Sequence, residues 1–369
     1  MGFAPRRLLL AGFTLLAANL GAPANLHASP LGGVEDAGRI EGGAPPAVHA
    51  PRPAHVPRRS VLQHAAPDGP RLRVVGRVAT GVEPKSVEVS PDGRRVYVAN
   101  FGMLDRQNIS VFDADTLAPV GQVDFPGNAV ELEFSRDGRT LYASNFRRAV
   151  VEVIDVATLT LRREIRVGSN PKTLALSPDG ARLYCANWSD GTLSIIGVAE
   201  GRELRRVRAG RHPRGVVVMP DGSVLVASFY DDVVRVLTPD GDRVARFDTC
   251  RLPRHLALSP DASRVWVTCT LGSIGAYDLR DHRRHVFALT GDNPRTLDVG
   301  WGGRFVATAN FGSSDVSLLD VSRMRRQTTS IEGADKLVGL AFAPGDAGRL
   351  YVTSWDTSEL VALEIAADE

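Results

Sequence analysis

Five proline–cation pairs recur along this 369-residue chain: Pro84–Lys85, Pro171–Lys172, Pro213–Arg214, Pro253–Arg254 and Pro294–Arg295. Where the surrounding pattern returns twice more, Val130 and Val338 stand in the cation's place. A second recurrence lies about fifteen residues after each pair. It is an amide or hydroxyl followed by an aromatic: Asn100–Phe101, Asn145–Phe146, Asn187–Trp188, Ser228–Phe229, Asn310–Phe311 and Ser354–Trp355, broken only by Cys269–Thr270. Cations backed by aromatic faces suit an anion or a sugar-like ligand, with Asn100, Asn145, Asn187 and Asn310 as hydrogen-bonding partners. The plainer reading is structural: asparagine at a strand end makes a turn, and the aromatics seal one unit against the next.

Acidic residues form a second set. Three positions after each proline–cation position the chain reads Glu88, Glu133, Ala175, Val217, Ala257, Asp298 and Ala341. Three carboxylates among apolar equivalents are costly to bury unless paired or metal-bound. One reading pairs them with Lys85 or Arg295; another makes Glu88, Glu133 and Asp298 a divalent-cation site; a third gives them acid–base work. Glu131 and His255 share one register two residues nearer the loops. Of the three cysteines, Cys250 and Cys269 are expected on one face and suit a disulfide in an oxidising compartment, with two packed thiols as the alternative. Cys185 sits in strand register and reads as core. No phosphate loop, G-x-S-x-G, H-E-x-x-H or C-x-x-C-H is present.

The elements that position these residues follow from a repeat. Pro84–Asn100 reads PKSVEVSPDGRRVYVAN, and Pro171–Asn187 reads PKTLALSPDGARLYCAN. Weaker copies begin at Ala129, Pro213, Pro253, Pro294 and Leu337, so that the turn-opening residues are Ser90, Ser135, Ser177, Met219, Ser259, Gly300 and Ala343. Seven units at 40–45-residue spacing predict a propeller. Within a unit the apolar period is two, and the S-P-D-G step supplies a preset φ, a self-bonding Asp and a left-handed Gly, which together make a hairpin turn. Two further alternating runs complete four antiparallel strands per blade. The last unit ends one strand short, and Leu72–Thr80 supplies a strand before the first hairpin. The expectation is therefore an all-β, seven-bladed β-propeller closed by an N-terminal strand that completes the last blade.

The proline–cation start, the S-P-D-G turn and the strand ends VYVAN (Val96–Asn100) and LYVTS (Leu350–Ser354) resemble the YVTN-type β-propeller repeat family, within the WD40-like propeller superfamily. The resemblance covers everything after residue 70, with departures at Gly300–Gly303, Pro220–Val224 and Ala262. It implies the fold and an exported location but no single activity, because relatives include redox enzymes, lactone hydrolases and binding proteins.

Residues 1–28 read as a signal peptide: Arg6 and Arg7, an apolar run Leu8–Leu20, then Ala22, Ala24 and Ala28. The run is too short to span a bilayer. Residues 29–70 read as a proline-rich, disordered linker, and 71–369 as the propeller. His49, His55 and His64 lie irregularly in the linker and carry no metal pattern. A formal net charge of +2 gives no ground to expect nucleic acid. The functional expectation is a periplasmic or secreted monomer that binds an unidentified protein or a small anionic ligand, with no cofactor beyond a divalent cation. The alternative is an enzyme at the central channel, a lactonase-like hydrolase or a redox-cofactor protein.

Overall fold

A computed structural model describes residues 61–62, 69–345 and 348–366. The expected signal peptide and nearly all of the expected linker lie outside the described residues. The described chain forms seven sheets, each with four antiparallel strands that are consecutive in the chain in six of them, and no α-helix. No helix among the described residues is long and apolar enough to cross a membrane.

Blade 1 shows how the sequence makes the unit. Its strands are Pro84–Val89, Arg95–Asn100, Ile109–Asp113 and Pro119–Val123. Ser90 Oγ donates to Asp92 Oδ1 at 2.6 Å, Arg94 N donates to Asp92 Oδ1, and Gly93 takes φ +71°. The same Ser–Asp closure recurs at Ser135–Asp137, Ser177–Asp179 and Ser259–Asp261. In blade 5, where Ala262 replaces the turn glycine, the residue still takes φ +51°. That places an alanine in a region glycine normally fills.

Blades 2 to 6 begin at Ala129, Pro171, Pro213, Pro253 and Pro294. Blade 7 takes Leu337–Phe342, Arg349–Ser354 and Glu359–Ile365 from the C-terminal end, and Leu72–Ala79 pairs antiparallel with Glu359–Ile365 to complete it. Ring closure is thus made of backbone hydrogen bonds, as the strand count required. The core is a series of inter-blade clusters: Tyr97 and Val111 of blade 1 share one with Leu132 and Leu141 of blade 2, and each following pair repeats it.

Two features lay outside the expectation. Val61–Leu62 pairs in parallel with Phe287–Ala288 on the outer edge of blade 5, giving that blade a fifth strand within the span read as linker. Every inner strand also breaks register with its partner at its first residues. Pro84 faces Asn100 but Ser86 faces Ala99, and a break at the same place recurs in all seven blades. A bulge there turns the side chains beside it away from the regular alternation.

Candidate functional site at the channel mouth

The bulges aim the cations. Lys85, Lys172, Arg214, Arg254 and Arg295 lie beside them and line one pocket that opens to solvent. Val130, Glu131, Thr173, His255, Thr296 and Val338 complete the lining. All five basic residues are nearly enclosed by protein, at 8, 4, 4, 6 and 5% exposure in chain order. Ordinarily such side chains lie in water, so their enclosure calls for compensation.

Aromatic faces supply part of it. Lys85 Nζ stands 4.6 Å from the Phe101 ring centre and 5.5 Å from that of Trp355. Lys172 stands between Phe146 (4.7 Å) and Trp188 (5.4 Å), and Arg214 between Trp188 (5.7 Å) and Phe229 (4.6 Å). Arg295 lies 3.9 Å from the centre of Phe311. Each aromatic is the residue that follows a strand-end Asn or Ser, so the two sequence recurrences meet in space. Blade 5 places Thr270 where the others place a ring.

The asparagines do not reach the cavity. Asn100, Asn145, Asn187 and Asn310 are fully buried and clamp loops. Asn145 Nδ2 donates to Pro126 O at 2.7 Å and to Glu152 Oε1 at 2.8 Å; Asn187 Nδ2 donates to Ser194 Oγ, while its Oδ1 accepts from Gly168 N. Asn100 Nδ2 donates to Gln107 O and Asn310 Nδ2 to Asp315 Oδ1. These contacts fit the plainer, structural reading of the strand-end asparagines, because a strand-end amide can satisfy a loop that would otherwise leave buried backbone groups unpaired.

The carboxylates divide in the same way. Glu131 lines the cavity, whereas Glu88, Glu133 and Asp298 do not. Glu133 Oε1 accepts from Leu176 N of blade 3 at 3.1 Å. Asp298 Oδ2 accepts from Phe342 N of blade 7 at 2.8 Å, and its Oδ1 from Val299 N. Each of these two therefore ties its blade to the next. Among the described residues, no group of three or more His, Cys, Asp or Glu is arranged to hold a metal ion.

Burial sets the protonation of this region. It lifts Glu131 to about 7 against the pull of Lys85. Glu133 is likewise lifted to about 7 despite the Leu176 amide, and Asp298 to about 6 despite the amides of Phe342 and Val299. Glu88 rises well above the carboxylate range through burial and then the nearby charges of Glu133, Asp298 and Glu131. Burial, with Arg254 beside it, lowers His255 to about 4, so its imidazole is neutral at pH 7. The cavity thus offers basic groups, a half-ionised carboxyl, a neutral imidazole and two threonines.

The basic set was legible from the proline–cation pairs. Thr173 and Thr296 were not singled out, because a threonine after a lysine or arginine carries no signal without the bulge. Cys250 and Cys269 form a disulfide, with Cα atoms 5.7 Å apart, and Cys185 is a buried free thiol.

Comparison with known proteins agrees with this architecture. Residues 115–220 match the family model described as lactonase, 7-bladed beta-propeller, which is under a third of the chain. No curated protein matches the chain. Among solved structures, hydrazine synthase of Kuenenia stuttgartiensis is similar in fold, with a TM-score of 0.69 at 17% identity, covering 79% of this chain and 98% of that one. At that identity the likeness concerns fold alone. The chain is a seven-bladed β-propeller whose inner-strand bulges gather five basic side chains at one end of its channel.

Proposed function

We propose that this chain is an exported propeller of the YVTN type that binds a small anionic ligand in the channel-mouth cavity. One observation carries the reading: five basic side chains, each less than a tenth exposed, converge on a single cavity. Enclosing lysine and arginine this completely opposes folding through their desolvation, and an anionic ligand would offset part of that cost. Rings fix four of them in place, which reduces the ordering cost when an anion arrives. Thr173, Thr296 and neutral His255 add hydrogen-bonding groups for hydroxyls of the same ligand. A divalent cation at Glu88, Glu133 and Asp298 is not part of this reading, since two of the three already accept backbone N–H groups of a neighbouring blade.

Titration with citrate, and with an uncharged polyol of similar size, tests the proposal. Binding of citrate with rejection of the polyol is the expected result. Equal binding of both, or of neither, would defeat it.

A second reading is favoured by the partial lactonase match and by Glu131 titrating near 7. Here the Glu131 carboxylate removes a proton from water, and the hydroxide attacks the lactone carbonyl carbon. The ring C–O bond breaks, the departing alkoxide takes the proton back from Glu131, and the carboxylic acid so formed releases its own proton to solvent, leaving a carboxylate among the cations. Glu131→Gln would then abolish hydrolysis while retaining product binding. If hydrolysis survived that change, Glu131 would not be the base.

A further inference from the structure

The disulfide occupies a position that other blades fill differently. Three residues before the proline that opens the inner strand, blades 1, 3, 4 and 6 carry Gly81, Gly168, Gly210 and Gly291. Opposite that proline, at the end of the second strand, stand Asn100, Asn187, Ser228 and Asn310. The two sites pack directly together. A Cβ on any of these glycines would lie 2.8 Å or closer to the facing Asn or Ser side chain. In blade 3 the contact is also a hydrogen bond from Gly168 N to Asn187 Oδ1 at 3.1 Å, and in blade 4 one from Ser228 Oγ to Ala209 O at 2.7 Å.

Blade 5 has neither residue. Cys250 stands at the glycine site, and Cys269, which faces Pro253, stands at the Asn/Ser site. Their bond joins the same loop to the same strand end. Pro253, Arg254 and His255 follow that loop immediately, and the last two line the cavity. We infer that Cys250 and Cys269 are positioning residues for the cavity: their disulfide is blade 5's covalent counterpart of the glycine–asparagine clamp, and its reduction loosens the placement of Arg254 and His255. The functional half of this inference rests on the anion site proposed above.

The blade-5 loop keeps other ties. Leu252 N donates to Asp232 Oδ1 at 2.8 Å, and Thr270 Oγ1 donates to Leu252 O at 3.0 Å. Opening the bond therefore frees one segment without unfolding the blade. A dithiol reductant supplies the two electrons and two protons that turn the disulfide into two thiols, and is itself oxidised to a disulfide. Cys185 is already a thiol, so the reagent has one target in the chain.

The test uses citrate as probe with the whole protein, oxidised and then dithiol-treated. Reduction should raise the citrate Kd about fivefold, the cost of ordering one long side chain on binding. Cys250→Ser/Cys269→Ser should reproduce that loss. Cys250→Gly/Cys269→Asn, which installs the clamp of blades 1, 3 and 6, should restore tight binding and remove sensitivity to the reductant. Equal affinity before and after reduction would overturn the inference, as would failure of the Gly/Asn pair to recover binding lost in the Ser pair. Hydrogen exchange of residues 249–255 gives a separate arm. Faster exchange on reduction is expected even if citrate does not bind, a result that would defeat the anion reading alone. Unchanged exchange would defeat the clamp.

Discussion

Replacing Glu131 by Gln isolates the one carboxyl that shares the cavity with the cations. Its carboxyl titrates at about 7 because burial disfavours the charge and Lys85 only partly offsets this. At pH 8 it is mostly ionised and repels an entering anion; at pH 6 it is mostly neutral. For a doubly charged anion roughly 6 Å from the carboxylate in a pocket open to water, an effective dielectric of about 40–80 makes the repulsion about 1.5–3 kcal/mol. That corresponds to about tenfold to a hundredfold in affinity. Sulfate is a suitable probe, because it keeps its full charge throughout this range. Calorimetric titration of the parent protein should show sulfate binding weakening as pH rises from 6 to 8. Glu131→Gln should bind more tightly than the parent at pH 8 and lose the steep part of the profile, leaving the shallower slope of Glu133 and Asp298, which lie outside the cavity and titrate at about 7 and 6. His255, at about 4, stays neutral over this window and does not contribute. A variant that kept the parent's pH dependence would refute the reasoning and assign the titration to another group.

Other consequences concern the scaffold. Asp298→Ala removes the acceptor for Phe342 N and should cost about 1–3 kcal/mol in denaturant unfolding at pH 5. Because the folded-state value of Asp298 is raised to about 6, its contribution is fully present at low pH and declines as pH rises through 6, so the loss should shrink at pH 8; a loss that grew with pH would contradict the assignment. Gly168→Ala would press a methyl group against Asn187 and Asp190 and should destabilise by about 1–3 kcal/mol, read as a lower unfolding midpoint.

Much of this fold was legible because the repeated signals are local. Ser90–Gly93 encodes its own turn, and Val96–Asn100 alternates with the period of a strand, so seven copies declare seven blades. Leu72–Thr80 was assigned to blade 7 from strand count alone, and the observed strand Leu72–Ala79 pairs there. The site was legible in part. Proline followed by lysine or arginine marked the cavity cations, since the repeat carries each copy to the same place in the ring. The bulge that aims them was hidden, because register between Pro84 and Asn100 is a property of two strands and not of either one. The asparagines stayed open between two roles for a similar reason: Asn145 is polar and near a loop, but whether it faces ligand or loop depends on how closely Gly127 and Pro126 approach. The pairing of Val61–Leu62 with blade 5 had no signal, as two apolar residues in a proline-rich run set no period.

The central claim is that the buried basic set holds an anion, and the most direct measurement is calorimetric titration of citrate into the parent protein and into Arg214→Ala/Arg254→Ala/Arg295→Ala. With charge-assisted hydrogen bonds at about 1.5–3 kcal/mol each, the triple variant should lose at least a hundredfold in affinity. Its circular dichroism should keep the all-β signature. Saturable one-to-one binding in the parent, lost in the variant, is the result this account predicts. Undiminished binding by a folded triple variant would place the anion elsewhere and contradict the account.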